Sequence, residues 1–108
     1  LDDGVAVEKG RVEQKEVSVS AVPNPFNPSV TLTAFVPSSM KNGQQIAISI
    51  YTLSGKLIKT FNGVSNKGRL AVNWEGDNNA GVKVGSGIYL VRMKTGQLEK
   101  NMKVVLSK

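Results

Sequence analysis

From residue 16 to the end of this 108-residue chain, apolar side chains recur at every second position, and clusters of Gly, Pro and Asn interrupt them at short intervals. A period of two puts alternate side chains on opposite faces of an extended backbone, so each run reads as a strand with one face to bury. Glu16-Val17-Ser18-Val19-Ser20-Ala21 alternates cleanly. Val30, Leu32, Ala34 and Val36 alternate with Ser29, Thr31 and Thr33, although Phe35 breaks the polar side, and Pro37 ends the run. Lys41-Asn42-Gly43 reads as a turn. Ile46, Ile48 and Ile50 form the most regular run, which continues to Leu53 before Ser54-Gly55, a tight hairpin signal. Lys56 to Phe61 returns, and Asn62-Gly63 with Asn66-Lys67-Gly68 punctuates the next crossing. Leu70, Val72 and Trp74 share a face opposite Arg69, Ala71, Asn73 and Glu75. After the turn-rich stretch 76–87, two further strands, Ile88 to Thr95 and Leu98 to Leu106, are joined at Gly96.

Seven strands with turns at about eight- to twelve-residue spacing predict an all-β antiparallel sandwich or barrel, because one sheet alone cannot cover its apolar face. Composition agrees. Val (15) and Ile (5) together outnumber Leu (8), and β-branched side chains suit a pleated surface better than a helix. No segment carries an apolar stripe at helical spacing, and no run approaches the roughly 18 apolar residues that span a bilayer. The length supports one domain with one core.

The absent residues narrow the chemistry. There is no His and no Cys. That removes disulfides, thiolate nucleophiles, the usual zinc ligands and every Ser-His or Cys-His dyad. Of eight acids, five lie in residues 1–16, and Glu75 and Asp77 are the only close pair beyond them. Nothing in the pattern buries or opposes that pair, so no catalytic site and no cofactor are expected.

Residues 1–15 carry seven charges, two Gly and no aromatic residue, a composition that buries too little to order itself and reads as a linker from an upstream domain. The chain begins at Leu1 with neither a basic n-region nor an apolar h-region, so no signal peptide is expected, and a start without Met suggests a piece of a longer protein. Residues 54–108 hold ten basic and three acidic residues, against four and five in residues 1–53. These cations scatter along strands without a basic run or an aromatic ladder, which argues against nucleic acid. Such a charge reads either as a solvated face or as weak, salt-screened affinity for anionic surfaces such as lipopolysaccharide or acidic polysaccharide.

Several local motifs have plain structural readings. Pro23-Asn24-Pro25-Phe26-Asn27-Pro28 cannot continue a ladder and reads as a crossover between sheets, with Phe26 plugging the sandwich end. Trp74, in phase with Leu70 and Val72, is expected in the core; exposed, it would be a single sugar-stacking ring without a second aromatic platform. Asp77-Asn78-Asn79 superficially resembles a calcium loop but lacks the further acidic ligands and the downstream Glu. Gly85-Ser86-Gly87 lacks the Lys-Ser/Thr and the helix of a phosphate loop.

Four segments, taken in order, carry a family resemblance: Pro23-Asn24-Pro25-Phe26-Asn27-Pro28-Ser29; Ile50-Tyr51-Thr52-Leu53-Ser54-Gly55-Lys56-Leu57-Ile58; Trp74-Glu75-Gly76-Asp77-Asn78-Asn79-Ala80-Gly81 with Val84-Gly85-Ser86-Gly87-Ile88-Tyr89; and the closing Lys103-Val104-Val105-Leu106-Ser107-Lys108. Over residues 22–108 the chain resembles the C-terminal sorting domains of type IX secretion cargo. It is also similar to the immunoglobulin-like domain of the flagellar hook-capping protein. The family usually has Asp where Asn78 stands here; an Asn can still accept backbone N–H groups through one oxygen.

The resemblance implies a seven-stranded immunoglobulin-like sandwich, residues 16–108, at the C-terminus of a secreted multidomain protein. It also implies recognition by the outer-membrane secretion machinery and a secreted or cell-surface location. Lys103 to Lys108 would then carry the sorting signal, while Pro23, Pro25, Gly81 and Gly87 hold turns and Asn24, Phe26, Trp74, Gly76, Asn78 and Tyr89 build the motif framework. Two alternatives remain: an adhesion or carbohydrate-binding module of a secreted polysaccharide-degrading enzyme, and a hook-capping scaffold domain.

Overall fold

The computed structural model describes residues 17–37 and 43–108. The expected linker 1–15 lies outside the described residues, as do Lys41 and Asn42 of the expected turn. Among the described residues the elements are seven strands and no helix: β1 (Ser18–Val22), β2 (Val30–Phe35), β3 (Gln45–Thr52), β4 (Leu57–Val64), β5 (Arg69–Trp74), β6 (Gly87–Thr95) and β7 (Leu98–Leu106). They form two antiparallel sheets in the orders β1-β2-β5 and β4-β3-β6-β7. Of the sandwich and barrel that the alternation allows, the sandwich is what forms, as the resemblance implied.

The alternation sets which side chains go inward. Val30, Leu32 and Ala34 of β2 face Ile46, Ile48 and Ile50 of β3, Tyr89, Val91 and Met93 of β6, and Val104 and Leu106 of β7 across the interior, and all are buried. Trp74 at the end of β5 is fully buried among them, as its phase with Leu70 and Val72 requires. At Ser54-Gly55 the expected hairpin closes through Gly55 N–H donating to Thr52 O at 2.9 Å.

Two expectations are corrected. Asn62-Gly63 is not a turn; both residues lie inside β4, paired with Ala47 and Ile46. A Cβ on Gly63 would sit 2.9 Å from a methyl of Leu70, so the glycine lets β5 approach the β4 edge closely. Pro23–Pro28 does not carry the chain from one sheet to the other either. It joins β1 to β2 within one sheet and reaches the second sheet only through its contacts with β7.

Candidate recognition end of the sandwich

The end of the sandwich where β2 and β6 begin and β5 and β7 finish gathers most of the sequence-predicted residues. Phe26 is buried, and its ring lies tilted 5.3 Å from that of Trp74; Tyr89 meets Trp74 edge-on at 5.4 Å. The expected plug is therefore the first ring of a three-ring stack, a tilted arrangement favoured by the ring quadrupoles. Trp74 Nε1 donates to Asp77 O at 2.8 Å, so the indole pins the following loop while sealed from solvent. Tyr89 O–H donates to Gly85 O, and burial pushes its hydroxyl pKa above the ordinary tyrosine value. The neutral, donating form is the one the site holds.

Gly76 sits where the chain leaves β5, at φ +70°. The positive φ favours glycine, and a Cβ there would lie 3.2 Å from Leu106 Cδ2 and press on that side chain. Beyond it, Asn78 organises the loop. Its Oδ1 accepts Ala80 N–H and Val82 N–H, each at 2.9 Å, while its main chain pairs with Val82 O and Gly81 N–H. One amide oxygen thus holds two backbone donors of the loop. Asn78→Asp should raise stability by roughly 0.5–1 kcal/mol at pH 7, since an ionised acceptor strengthens both bonds. Thermal denaturation at pH 7 and pH 3 checks this. The gain belongs to the ionised form, so it should be present at pH 7 and vanish as pH falls through the depressed carboxylate pKa.

Asp77 and Glu75 each pair with a different lysine. Asp77 Oδ2 accepts from Lys59 Nζ at 3.1 Å, and Glu75 lies 3.9 Å from Lys83, so separate cations neutralise them. Among the described residues no group of three His, Cys, Asp or Glu could hold a metal ion, and no helix is long and apolar enough to cross a membrane. Gly81 closes the loop turn and Gly87 opens β6 opposite Leu106.

The residues expected to form the sorting signal are built into this end. Val104 and Leu106 are buried, Lys103 is exposed, and Val105 is half-buried on the outward face. The proline motif holds the strand's free edge. Asn24 Nδ2 donates to Lys103 O at 3.2 Å and Asn24 Oδ1 accepts Val105 N–H at 3.0 Å; Phe26 N–H donates to Val105 O and Ser107 N–H to Phe26 O, both at 2.9 Å. Phe26 and Leu106 form a parallel bridge. Lys108 N–H donates to Ser86 Oγ at 3.1 Å, and its Nζ donates to Val84 O. Pro23 and Pro25 flank Asn24 on the exposed surface.

The sequence places Asn24 and Asn79 in motifs but gives neither a partner. Asn79 N–H donates to Ile58 O at 3.0 Å and its Oδ1 accepts Thr60 N–H at 3.1 Å, so it caps the β4 edge much as Asn24 caps β7. No local signal marks either role, because each depends on a strand distant in sequence. Asn24→Ala should cost about 1 kcal/mol, the net worth of two partly exposed bonds. Hydrogen exchange at Val105 N–H should accelerate more than at Val91 N–H. Asn24→Asp should do no better, since it sets a carboxylate oxygen against Lys103 O.

The FlgD Ig-like domain model matches residues 28–98. Among solved structures, dimeric latent PorU from Porphyromonas gingivalis superposes with a TM-score of 0.67 at 22% identity, covering 90% of this chain and 10% of that one. PorZ, a surface component of the type-IX secretion system of P. gingivalis, gives 0.59 at 21% identity, covering 84% of this chain and 12% of that one. FlgD from P. aeruginosa gives 0.58 at 14% identity, covering 85% and 74%. The chain thus corresponds to about a tenth of the length of the first two. Among curated proteins there is no significant match.

Proposed function

The chain belongs to the FlgD Ig-like domain family, and from that premise we propose that it is a non-catalytic C-terminal domain of a larger secreted bacterial protein, serving as its outer-membrane secretion and cell-surface attachment signal. The observation that carries this reading is the treatment of residues 103–108. They are held on both sides, by Asn24 and Phe26 and by Ser86, on a platform that keeps Lys103 and Val105 outward while Val104 and Leu106 anchor inward. A signal of this kind needs ordered display and no chemistry of its own. Fold likeness to domains of PorU and PorZ supports the same direction.

Deleting residues 103–108 from the full-length parent should abolish export and leave the protein in the periplasm. That deletion also strips Val104 and Leu106 from the core, so Lys103→Glu with Val105→Asp provides the fold-preserving version, with an expected fall in export of at least fivefold. Normal export of both variants would end the reading.

The family match also favours a second reading, a hook-capping scaffold domain. It predicts loss of motility, with unchanged secretion, when the parent gene is deleted. The carbohydrate-binding alternative loses its motivating residue, because Trp74 is fully buried and no sugar ring reaches it.

A further inference from the structure

We propose that the outer face of the four-stranded sheet, at the end where residues 103–105 lie, docks an apolar protein surface fringed with carboxylates. The inference rests on the secretion reading and names the chemistry of the partner that reading requires. Because Ile48, Ile50, Tyr89, Val91, Val104 and Leu106 point into the core, their alternate neighbours point out. Register then aligns Leu57, Tyr51, Leu90 and Lys103 in one row across all four strands, with Ile88 and Val105 paired two residues further along β6 and β7. Leu53, in the turn that follows Thr52, lies beside this end of the sheet.

Leu53, Leu57 and Ile88 are 58%, 48% and 45% exposed. A lone exposed aliphatic side chain is ordinary, whereas a contiguous set on a flat sheet end marks an interaction surface. The other end of the same face is polar, with Thr60, Ser49, Arg92 and Asn101 in one row and Asn62, Ala47, Lys94 and Glu99 in the next. Beyond those rows Val64, paired with Gln45 and 53% exposed, is a lone aliphatic side chain, so the contiguous apolar rows lie at the end that carries the proposed signal.

Charge selects the partner. Exposed Lys56 and Lys103 flank the apolar rows, and the Arg92 guanidinium lies over the Tyr51 ring at 5.4 Å. Glu99, 3.9 Å from Arg92, belongs to the polar end, and Glu75 and Asp77 lie on the loop after β5, engaged with Lys83 and Lys59. Among the described residues, Lys56 and Lys103 rim the apolar patch with no carboxylate paired to them, while Arg92 is shared with Glu99, and carboxylates on the partner complement the two lysines. A Tyr–Arg pair inside an aliphatic surround is the composition of a protein interface centre. Three cations and a flat sheet, without protruding Trp or Phe, make a weak membrane anchor by comparison.

The test uses the full-length parent in its native host. Leu57→Asp with Ile88→Asp should cut export at least tenfold and leave folded protein in the periplasm. Val64→Asp, at a position 53% exposed on the opposite end of the same face, should export normally. Melting temperatures of the purified variants within a few degrees of the unmodified protein exclude misfolding as the cause. Normal export of the double variant, with export abolished by deletion of residues 103–108, would overturn this inference and leave the secretion reading standing; normal export of both removes the two together. Two further results would also overturn it. One is flotation of the purified parent with vesicles of phosphatidylglycerol and phosphatidylethanolamine, lost in the double variant, which assigns the face to a membrane. The other is self-association in sedimentation velocity that the same substitutions abolish, which assigns it to a second copy.

Discussion

Trp74→Ala is expected to lower stability by about 4 kcal/mol, a large share of what a domain of this size possesses. The indole is fully buried, stacks on Phe26 and Tyr89, and donates its only N–H to Asp77 O. Its removal therefore opens a cavity and orphans a loop carbonyl in one step. Trp74→Phe separates the two effects. It keeps most of the ring packing, leaves Asp77 O without its donor, and should cost about 2 kcal/mol. Urea denaturation followed by far-ultraviolet circular dichroism gives both values. Losses below about 1 kcal/mol for the Ala variant would mean that the three-ring stack does not hold this end together.

The second large effect is expected at Phe26. Phe26→Ala should cost about 3 kcal/mol even though the residue lies in a loop, because its ring is as buried as a core strand residue. Its signature should differ from that of Trp74. Loss of the ring loosens the segment that holds β7, so exchange at Val105 N–H and Ser107 N–H should rise before global unfolding, whereas Val91 N–H in the middle of β6 should follow global stability alone. Combining Phe26→Ala with Trp74→Ala should be less destabilising than the sum of the two, by about 1 kcal/mol, since the ring–ring contact is lost only once.

Much of the sandwich was legible because strand burial is a local pattern. Ile46, Ile48 and Ile50 announce an inward face by spacing alone, and Trp74 follows from Leu70 and Val72. Where reading failed, the deciding partner was remote. Gly63 looks like half of a turn signal until Leu70, from the next strand, is placed against it. Asn24 and Asn79 look like turn residues until their amides meet β7 and β4, 79 and 19 residues away for their closest side-chain pairings. The recognition end was only half legible for the same reason. Its rings and glycines are marked in the sequence, but the outward rows Leu57, Tyr51, Leu90 and Ile88, Val105 exist only once four strands are in register.

The parallel bridge between Phe26 and Leu106 bears on how the domain answers a pull. Residues 24–26 and 103–107 run in the same direction, so a chain tethered ahead of Val17 and drawn by Lys108 drags the two segments along each other in opposite senses. The four bonds between them are then loaded side by side and must give way nearly together, as in a lap joint, instead of opening one at a time like a zip. A domain joined this way resists traction along its own length far better than its modest size suggests.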